Sequence, residues 1–420
     1  MSLPFITSAP GKVIIFGEHS AVYNEPAVAA SVSSLRTYLL VSQHEDPEAV
    51  ELDFPDIQFK HKWSHSEFGC VLKGEANSRA LERARTNTRE LSQYLIESLE
   101  NLHSDLKKSL FYHAAFSFSY LYVCLCPEVK GVRFSVRSTL PIGAGLGSSA
   151  SISVALALAM NRLSGAITSD RELSVQDKKL VEEWSFVGEK CIHGTPSGID
   201  NAVATHGNAV LFKREMDGTT NFEFVEDFPQ IPMLLTYTKI PRSTKTLVSN
   251  VRELVSKHPN IVKPIFVAMG QLATRGAEIL DSLTETNYHE LLELVRVNHG
   301  LLVGLGVSHP GLEAVRSLSD SLEIGSTKLT GAGGGGCALT ILRKDAKQSA
   351  LKQFKDRLEN EHGYALYETQ LGGIGCSILP SEAISDQDFE RIRILFTEDF
   401  DNKHLDQVLL PGKCTLPWII

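Results

Sequence analysis

The strongest chemical feature of the sequence is a glycine- and serine-rich stretch at residues 141–150, which follows a predicted strand and begins an apolar helix. Glycines let the backbone approach a bulky anion, and a helix start directs free N–H groups and positive potential toward it. The candidate phosphate loop consists of Gly143, Ala144, Gly145, Leu146, Gly147, Ser148 and Ser149. A serine hydroxyl here can also reach a metal ion. The alternative is a tight turn that needs glycine only for its conformation.

The same stretch differs from the commonest nucleotide-binding motifs. It matches neither G-x-x-x-x-G-K-[ST] nor G-x-G-x-x-G, because Ser148 stands where the third glycine of the second motif would fall. The chain also contains no His-Arg-Asp and no Asp-Phe-Gly, which weighs against a protein kinase.

Charged residues with possible catalytic roles flank a short apolar run at residues 13–16. Lys12 precedes the run, and Glu18 and His19 follow it. A lysine supplies a point charge for phosphate, while Glu and His can hydrogen-bond a hydroxylated substrate. Taken alone, this pattern is also typical of surface charge beside a core histidine.

Two carboxylates in different settings suggest a division of work. Glu189 lies near the end of a predicted helix and Asp200 follows a Pro-Gly turn. One would bind a cation while the other orients or deprotonates a hydroxyl. Each carboxylate taken singly is more typical of a solvated surface.

A second glycine run occupies residues 331–336, between two predicted strands. So many glycines in a plain hairpin would raise the entropic cost of folding, which favours close approach to a ligand. Residues 242–245 add hydroxyl groups from Ser243 and Thr244 and positive charge from Arg242 and Lys245. Together these groups would hold a carboxylate. Ordinary helix capping is the alternative for that segment.

These residues need strands and helices to position them. Apolar runs and alternation predict strands at residues 13–16, 37–41, 132–136, 209–212, 233–237, 326–330, 337–342, 364–369 and 374–379. Helical patterns cover residues 78–106, 109–127, 152–163, 175–191 and 346–358, with further helices between 242 and 322. Ser148 or Ser149 is the expected N-cap of the third of these helices. The polar segment 43–108 is expected to be an elaboration on the core, and residues 227–232 the boundary between two lobes.

Composition narrows the class of protein. The chain has 420 residues, 43% hydrophobic and 22% charged, and its net charge is 41 − 50 = −9. This acidic balance argues against nucleic acid or an anionic membrane as the main partner. The uncharged stretch 109–127 is diluted by Ser, Tyr and His, so a buried helix is expected there rather than a membrane span. Seven cysteines without a Cys-x-x-Cys pair favour a reducing compartment.

Four sequence blocks together resemble the GHMP kinases. They are P-G-K-V-I-I-F-G-E-H-S-A-V-Y at 10–23, P-I-G-A-G-L-G-S-S-A at 141–150, G-E-K-C-I-H-G-T-P-S-G-I-D-N at 188–201 and K-L-T-G-A-G-G-G-G-C at 328–337. The blocks occur in the family's order and span most of the chain. Residues 43–108 and those beyond 381 carry little of the resemblance.

The resemblance implies an α+β, two-lobed GHMP-kinase-like fold with the active site in the cleft between the lobes. Residues 1–229 would form the N-terminal lobe and residues 230–420 the C-terminal lobe. The implied substrates are ATP, with Mg²⁺, and (R)-mevalonate, whose terminal hydroxyl would be phosphorylated in the mevalonate route to isoprenoids and sterols. A cytoplasmic homodimer that is feedback-inhibited by prenyl diphosphates would also follow from it.

The resemblance further implies a role for each candidate residue. Ser149 and Glu189 would ligate Mg²⁺, and Asp200 would act as the base or the orienting carboxylate, with Lys12 beside it and near the phosphates. Contacts with mevalonate would come from Glu18, His19, Thr244 and Ala332. The phosphates would rest on residues 143–148, and Ser138 would be a weaker nucleotide contact.

Other functions remain open at this point. Galactokinase-like chains continue the G-E-H block with Thr-Asp-Tyr, whereas this chain continues with Ser20-Ala21-Val22-Tyr23. Phosphomevalonate kinase is the nearest competitor within the family. A non-catalytic nucleotide sensor of the same fold is the alternative from another class, although such a sensor has no need to keep all the transfer groups.

Overall fold

The structure, a computed structural model, describes residues 2–141, 143–214, 220–225, 228–397, 401 and 404–420. Ile142, at the start of the phosphate loop, and Asp227, at the expected lobe boundary, lie outside this described part. The strands are β1 Phe5–Phe16, β2 Ala27–Gln43, β3 Ala49–Phe54, β4 Phe59–Ser64, β5 Val132–Ser138, β6 Ala209–Arg214, β7 Thr220–Val225, β8 Ile231–Tyr237, β9 Gly325–Leu329, β10 Cys337–Leu342, β11 Ala365–Leu371 and β12 Ser377–Leu379.

Helices account for most of the remaining regular structure. Those described are α1 His65–Leu72, α2 Glu75–Thr86, α3 Gln93–Leu102, α4 Tyr112–Leu125, α5 Ser148–Leu163, α6 Val175–His193, α7 Ile199–His206, α8 Thr244–Lys257, α9 Pro259–Asp281, α10 Tyr288–Gly304, α11 Pro310–Ser321, α12 Gln348–His362, α13 Asp386–Leu395 and α14 Leu405–Leu409. The mixture of helix and sheet confirms the predicted α+β class.

The strands join into one sheet whose main path is β4-β3-β5-β2-β11-β8-β10-β9. The long strand β2 pairs with β1 along one edge and, in successive segments, with β6, β11 and β5 along the other. Its pairing with β11 rests on the single pair Val32 and Leu371. The proposed division at residue 229 therefore falls within one continuous sheet, and it stays a prediction.

The end of the chain returns to its beginning. Strand β12 pairs antiparallel with β1, and Leu405, Leu409 and Trp418 form one apolar cluster with Ile6 and Tyr38. The last part of the chain thus packs on strands of the N-terminal half.

Two expected elements differ from the structure in ways that have local causes. The helix predicted over 78–106 is divided into α2 and α3, because the Asn87 side chain accepts a hydrogen bond from the backbone N–H of Arg89 (3.1 Å) and turns the chain. The segment 43–108 is more than an elaboration, since it contributes β3 and β4 to the sheet, with β3 parallel to β5.

The prediction for the start of α5 was wrong by one position. Its N-cap is Gly147, which has φ 72°, and Ser148 is already the first helical residue. A left-handed backbone favours glycine over serine at this cap. The hydroxyls of Ser148 and Ser149 are therefore not used as caps.

Helix α4 occupies the uncharged stretch predicted to be buried. Most of its residues are buried, and the Ser117 hydroxyl donates to the carbonyl of Gly188 on α6 at 3.0 Å. Among the described residues, none of the helices combines the length and apolarity needed to span a bilayer.

A buried histidine in the aromatic core makes stability depend on pH. His103 is fully buried beside Trp63 and Phe116, and neither ring nitrogen has a hydrogen-bond partner in the described part of the chain. Burial, and to a smaller extent the neighbouring His61, lowers the pKa of His103 to about 4. The folded protein therefore binds this proton less readily than the unfolded chain does.

We expect the free energy of unfolding to fall as the pH drops from about 6.5 toward 4, with His103 contributing roughly 3 kcal/mol of that loss. The change His103→Leu should remove this part of the pH dependence, measured by urea unfolding at several pH values. His113→Leu, at an exposed histidine on α4, is the matched control. An unchanged slope in His103→Leu would contradict the assignment.

Candidate active site

The phosphate loop is fixed to the first strand. The backbone N–H of Lys12 on β1 donates to the carbonyl of Leu146 at 2.8 Å. This approach requires Gly11, since a Cβ there would lie 2.9 Å from the same carbonyl oxygen. Gly143, Gly145 and Gly147 all have positive φ, which explains their identity at these positions.

Lys12 and Asp200 meet at the end of this loop. The Lys12 Nζ lies 3.3 Å from Asp200 Oδ1, and a Cβ on Gly147 would approach both side chains within 3.4 Å. Asp200 is in the first turn of α7 and Gly147 caps α5, so the pair lies beside two helix N-termini. The Asp200 side chain is 31% exposed and Lys12 only 9%, so the carboxylate is the accessible member.

Glu189 on α6 lies close enough to the Lys12–Asp200 pair to be influenced by both charges. Its Oε1 is buried without a hydrogen-bond partner among the described residues. Burial, followed by the negative charge of Asp200, raises the pKa of Glu189 to about 7, while a hydrogen bond with Ser149 and the charge of Lys12 oppose this shift. Ser149 Oγ also lies 3.2 Å from Nε2 of His193, a neighbour that sequence reasoning missed.

A largely apolar cavity of about 850 Å³ adjoins the loop. Its wall includes the predicted nucleotide contact Ser138, together with Ser148 and Ser149. The backbone N–H of Ser138 donates to Asp56 at 2.7 Å. The C-terminal segment unexpectedly contributes Asp406, which accepts a hydrogen bond from the Tyr38 hydroxyl at 2.7 Å. Burial raises the pKa of Asp406 to about 6.

His19 and Ala332, two predicted substrate contacts, are direct neighbours. The His19 Nε2 lies 2.9 Å from the carbonyl oxygen of Ala332. This contact joins the end of β1 to the second glycine run, although 313 positions separate the two residues. Thr244 is exposed at the start of α8. Among the described residues, no hydrogen bond connects it to His19 or Ala332.

The second glycine run approaches the protein's own backbone more closely than expected. A Cβ on Gly333 would lie 2.0 Å from the carbonyl oxygen of Val307, and one on Gly335 would lie 2.7 Å from that of Ile240. The N–H of Gly334 donates to Val307 at 2.8 Å. Packing against neighbouring loops therefore accounts for several of these glycines without any ligand.

Glu18 is separated from the accessible residues. The residue is 2% exposed, and its carboxylate forms an ion pair with the fully buried Lys328 and accepts a hydrogen bond from Asn298 at 3.0 Å. With its oxygens engaged in this way, Glu18 supports the segment that carries His19 and offers no free surface in this state. The sequence around Lys328 gives no local indication that this lysine pairs with Glu18, because the two residues are 310 positions apart.

Arg242 connects the two glycine-rich segments. Its Nη2 donates to the carbonyl of Ala144 at 3.0 Å and its Nη1 to that of Thr330 at 3.3 Å. The site thus combines a phosphate loop, a lysine–carboxylate pair, a buried glutamate and an arginine, a set suited to transfer of an anionic group to a hydroxyl.

Comparisons with known proteins agree with this chemistry. Residues 109–208 match the family model "GHMP kinases N terminal domain" and residues 279–361 match "GHMP kinases C terminal". Mevalonate kinase of Saccharomyces cerevisiae is 56% identical over the whole of both chains, and the Homo sapiens enzyme is 33% identical over 90% of this chain and 96% of its own. A crystal structure of L. major mevalonate kinase in complex with R-mevalonate has a TM-score of 0.64 at 21% identity, covering 88% of this chain and 96% of that one.

Proposed function

Since the chain belongs to the mevalonate kinase family of GHMP kinases, it is an ATP-dependent kinase that acts on mevalonate, and we propose that Lys12, Asp200 and the phosphate loop carry out the transfer. The observation that carries this proposal is the Lys12–Asp200 pair, 3.3 Å apart beside the capping Gly147 of α5. It lies where a phosphoryl group at the helix N-terminus would meet an acceptor hydroxyl.

Asp200 orients the acceptor. The Lys12 ammonium holds one carboxylate oxygen, and the accessible carboxylate is left to accept a hydrogen bond from the terminal hydroxyl of mevalonate. Because an alcohol is a weak acid and the transition state is loose, Asp200 takes the proton late in the transfer. It acts first as an orienting group and then as the base.

The loop and Lys12 stabilise the transferred phosphoryl group. Backbone N–H groups at the start of α5 and the adjacent ammonium face the charge that spreads over the phosphoryl oxygens. These groups are held in place before the substrate arrives, because Lys12 and the loop are joined by the hydrogen bond to Leu146. Such preorganisation accounts for catalysis without a covalent intermediate.

Glu189 and Ser149 fit a magnesium ion. A buried carboxylate oxygen without a partner and a nearby hydroxyl are hard oxygen ligands of the kind that Mg²⁺ prefers. The described residues contain no group of three or more His, Cys, Asp or Glu side chains suited to a metal, so nucleotide phosphates and water would complete the coordination. When bound, Mg²⁺ supplies neutralisation of phosphate charge.

Removing either ligand should change the response to the metal. We expect Glu189→Gln and Ser149→Ala to raise the Mg²⁺ concentration needed for half-maximal activity by tenfold or more, because charge or coordination is lost at the ion. Titration of Mg²⁺ at fixed ATP and mevalonate measures the effect. Glu183→Gln, at an exposed position of the same helix, should behave as the unmodified protein does. An unchanged Mg²⁺ dependence would count against the metal roles.

The function itself is tested by substrate-dependent release of ADP. The purified protein is assayed with mevalonate, phosphomevalonate, galactose and homoserine, and mevalonate alone should support turnover. Turnover with phosphomevalonate or galactose instead would reassign the substrate. Nucleotide binding with no turnover on any of the four would indicate a sensor.

We also infer a cytoplasmic homodimer that is inhibited by prenyl diphosphates at the nucleotide site. The seven free cysteines support a reducing compartment. The apolar cavity beside Ser148 and Ser149 supports the inhibitor, because a diphosphate on the loop would place its hydrocarbon tail there. The dimer rests on the resemblance to the family.

A further inference from the structure

A histidine that has no part in the transfer chemistry lies beside both proposed metal ligands. The Nε2 of His193 is 3.2 Å from the Ser149 hydroxyl and 4.0 Å from Oε2 of Glu189. His193 is the last residue of α6, one turn after Glu189, while Ser149 lies in the first turn of α5. One ring nitrogen therefore approaches the two side chains that fit the magnesium ion, and it joins the two helices that carry them.

The backbone around His193 is fixed although its side chain is 54% exposed. Helix α6 ends at Gly194, which has φ 75° and whose N–H donates to the carbonyl of Lys190 at 2.9 Å. The N–H of Thr195 then donates to the carbonyl of His193 at 2.9 Å. An exposed side chain on a fixed backbone can be replaced at little cost in stability, so a change at His193 reports on binding rather than folding.

The direction of the hydrogen bond follows from the single proton of a serine hydroxyl. Ser149 donates this proton toward Glu189, where it favours the charged carboxylate and opposes the rise in the pKa of Glu189. The Ser149 oxygen therefore accepts from His193, and Nε2 carries the hydrogen. Donors thus run in one direction, from His193 through Ser149 to Glu189.

A neutral hydroxyl acts as a metal ligand only when it is oriented. The Ser149 side chain has three staggered rotamers and its hydroxyl also rotates, so few of its arrangements direct a lone pair at a given point. In metal sites, groups behind the ligands fix such orientations. Among the described residues, His193 is the side chain that donates to the Ser149 hydroxyl.

We propose that His193 is a positioning residue, which orients the Ser149 hydroxyl toward the magnesium ion of the bound nucleotide. It acts through Ser149 and does not itself hold phosphate or metal. The competing role is that of a cation that binds the nucleotide phosphates directly, and such a role would not depend on the metal. This inference rests on the proposed function, which assigns Ser149 and Glu189 to the ion.

The test is calorimetric binding of an unreactive ATP analogue, in Mg²⁺ and in EDTA. In His193→Leu the Kd with Mg²⁺ should rise about tenfold or more, as is usual when a group behind a metal ligand is lost. The Kd in EDTA should change by less than about twofold, because no donor to phosphate is removed. His289→Leu makes the same change at an exposed position of α10 and should alter neither value.

Two further variants connect the effect to Ser149. His193→Gln keeps an amide N–H that can donate to the hydroxyl, and its Kd with Mg²⁺ should stay within about threefold of the unmodified protein. Ser149→Ala already removes the oriented hydroxyl, so adding His193→Leu should weaken binding with Mg²⁺ no further. Losses that multiply in the double variant would show that His193 acts independently of Ser149, which contradicts the proposal.

The affinities in the two buffers also separate the remaining outcomes. An equal loss with and without Mg²⁺ in His193→Leu would identify a phosphate contact, and no loss in either would remove His193 from the site. Both results refute the positioning role while leaving the proposed function intact. If Mg²⁺ failed to tighten binding of the analogue to the unmodified protein, the metal site of the proposed function would itself be refuted, and the role of His193 with it.

Discussion

Asp200→Asn is expected to lower kcat by about three orders of magnitude or more, the upper part of the range for loss of a general base. The amide has nearly the shape of the carboxylate, but it cannot take the proton of the acceptor hydroxyl and it no longer pairs with Lys12. ATP binding should remain within about threefold, since Asp200 lies on the acceptor side of the pair. Steady-state kinetics together with calorimetry of nucleotide binding separate the two effects.

A matched variant controls for the general effect of removing a negative charge. Asp170 is exposed, and Asp170→Asn should leave kcat and both KM values unchanged. If Asp200→Asn turned over at a rate near that of the unmodified protein, neither a base nor an orienting carboxylate would be needed at that position, and the proposed mechanism would be refuted.

Lys328→Met should destabilise the fold by about 3–5 kcal/mol, because it leaves the buried carboxylate of Glu18 without its countercharge. Both side chains are almost completely buried, Lys328 on β9 and Glu18 just after the end of β1, so water cannot replace the lost partner. Urea or guanidinium unfolding measures the change. An exposed pair provides the control: Lys344→Met, whose partner is Glu285, should cost less than about 1 kcal/mol.

The double variant Glu18→Gln with Lys328→Met tests whether the unpaired charge of Glu18 causes the loss of stability. Once the buried charge is removed together with its partner, most of the lost stability should return. A double variant as unstable as Lys328→Met alone would show that packing around Lys328, rather than the unpaired charge, dominates. The KM for mevalonate in the double variant would then report how far Glu18 contributes to the substrate site.

The local part of the site could be predicted from the sequence. The order of strand, glycine loop and helix fixes where a phosphate can bind, because glycine conformation and helix termini depend on consecutive residues. Lys12 and Asp200 could be proposed as partners only through the resemblance to a family, since 188 positions separate them. Their distance of 3.3 Å is a product of how β1, α5 and α7 pack.

Other properties depended on the tertiary structure. The sequence places Glu18 and His19 side by side, yet one is buried with Lys328 and the other contacts Ala332. Nothing in the run Gly331–Gly336 indicates that much of it packs on Val307, Ile240 and Arg242. The return of the C-terminal segment, which brings Asp406 to the cavity, also has no local signal.

The sequence by itself therefore determined the phosphate loop and the residues able to do chemistry, because both are set by residue type and short-range backbone geometry. The reaction class followed from the resemblance of four sequence blocks to a known family. Only the tertiary structure decided which charges are paired and which carboxylate stays accessible. Those outcomes depend on burial and on partners far apart in the sequence, such as Glu18 and Lys328, which are 310 positions apart. Desolvation and long-range pairing are properties of the packed chain, and no local pattern of residues records them.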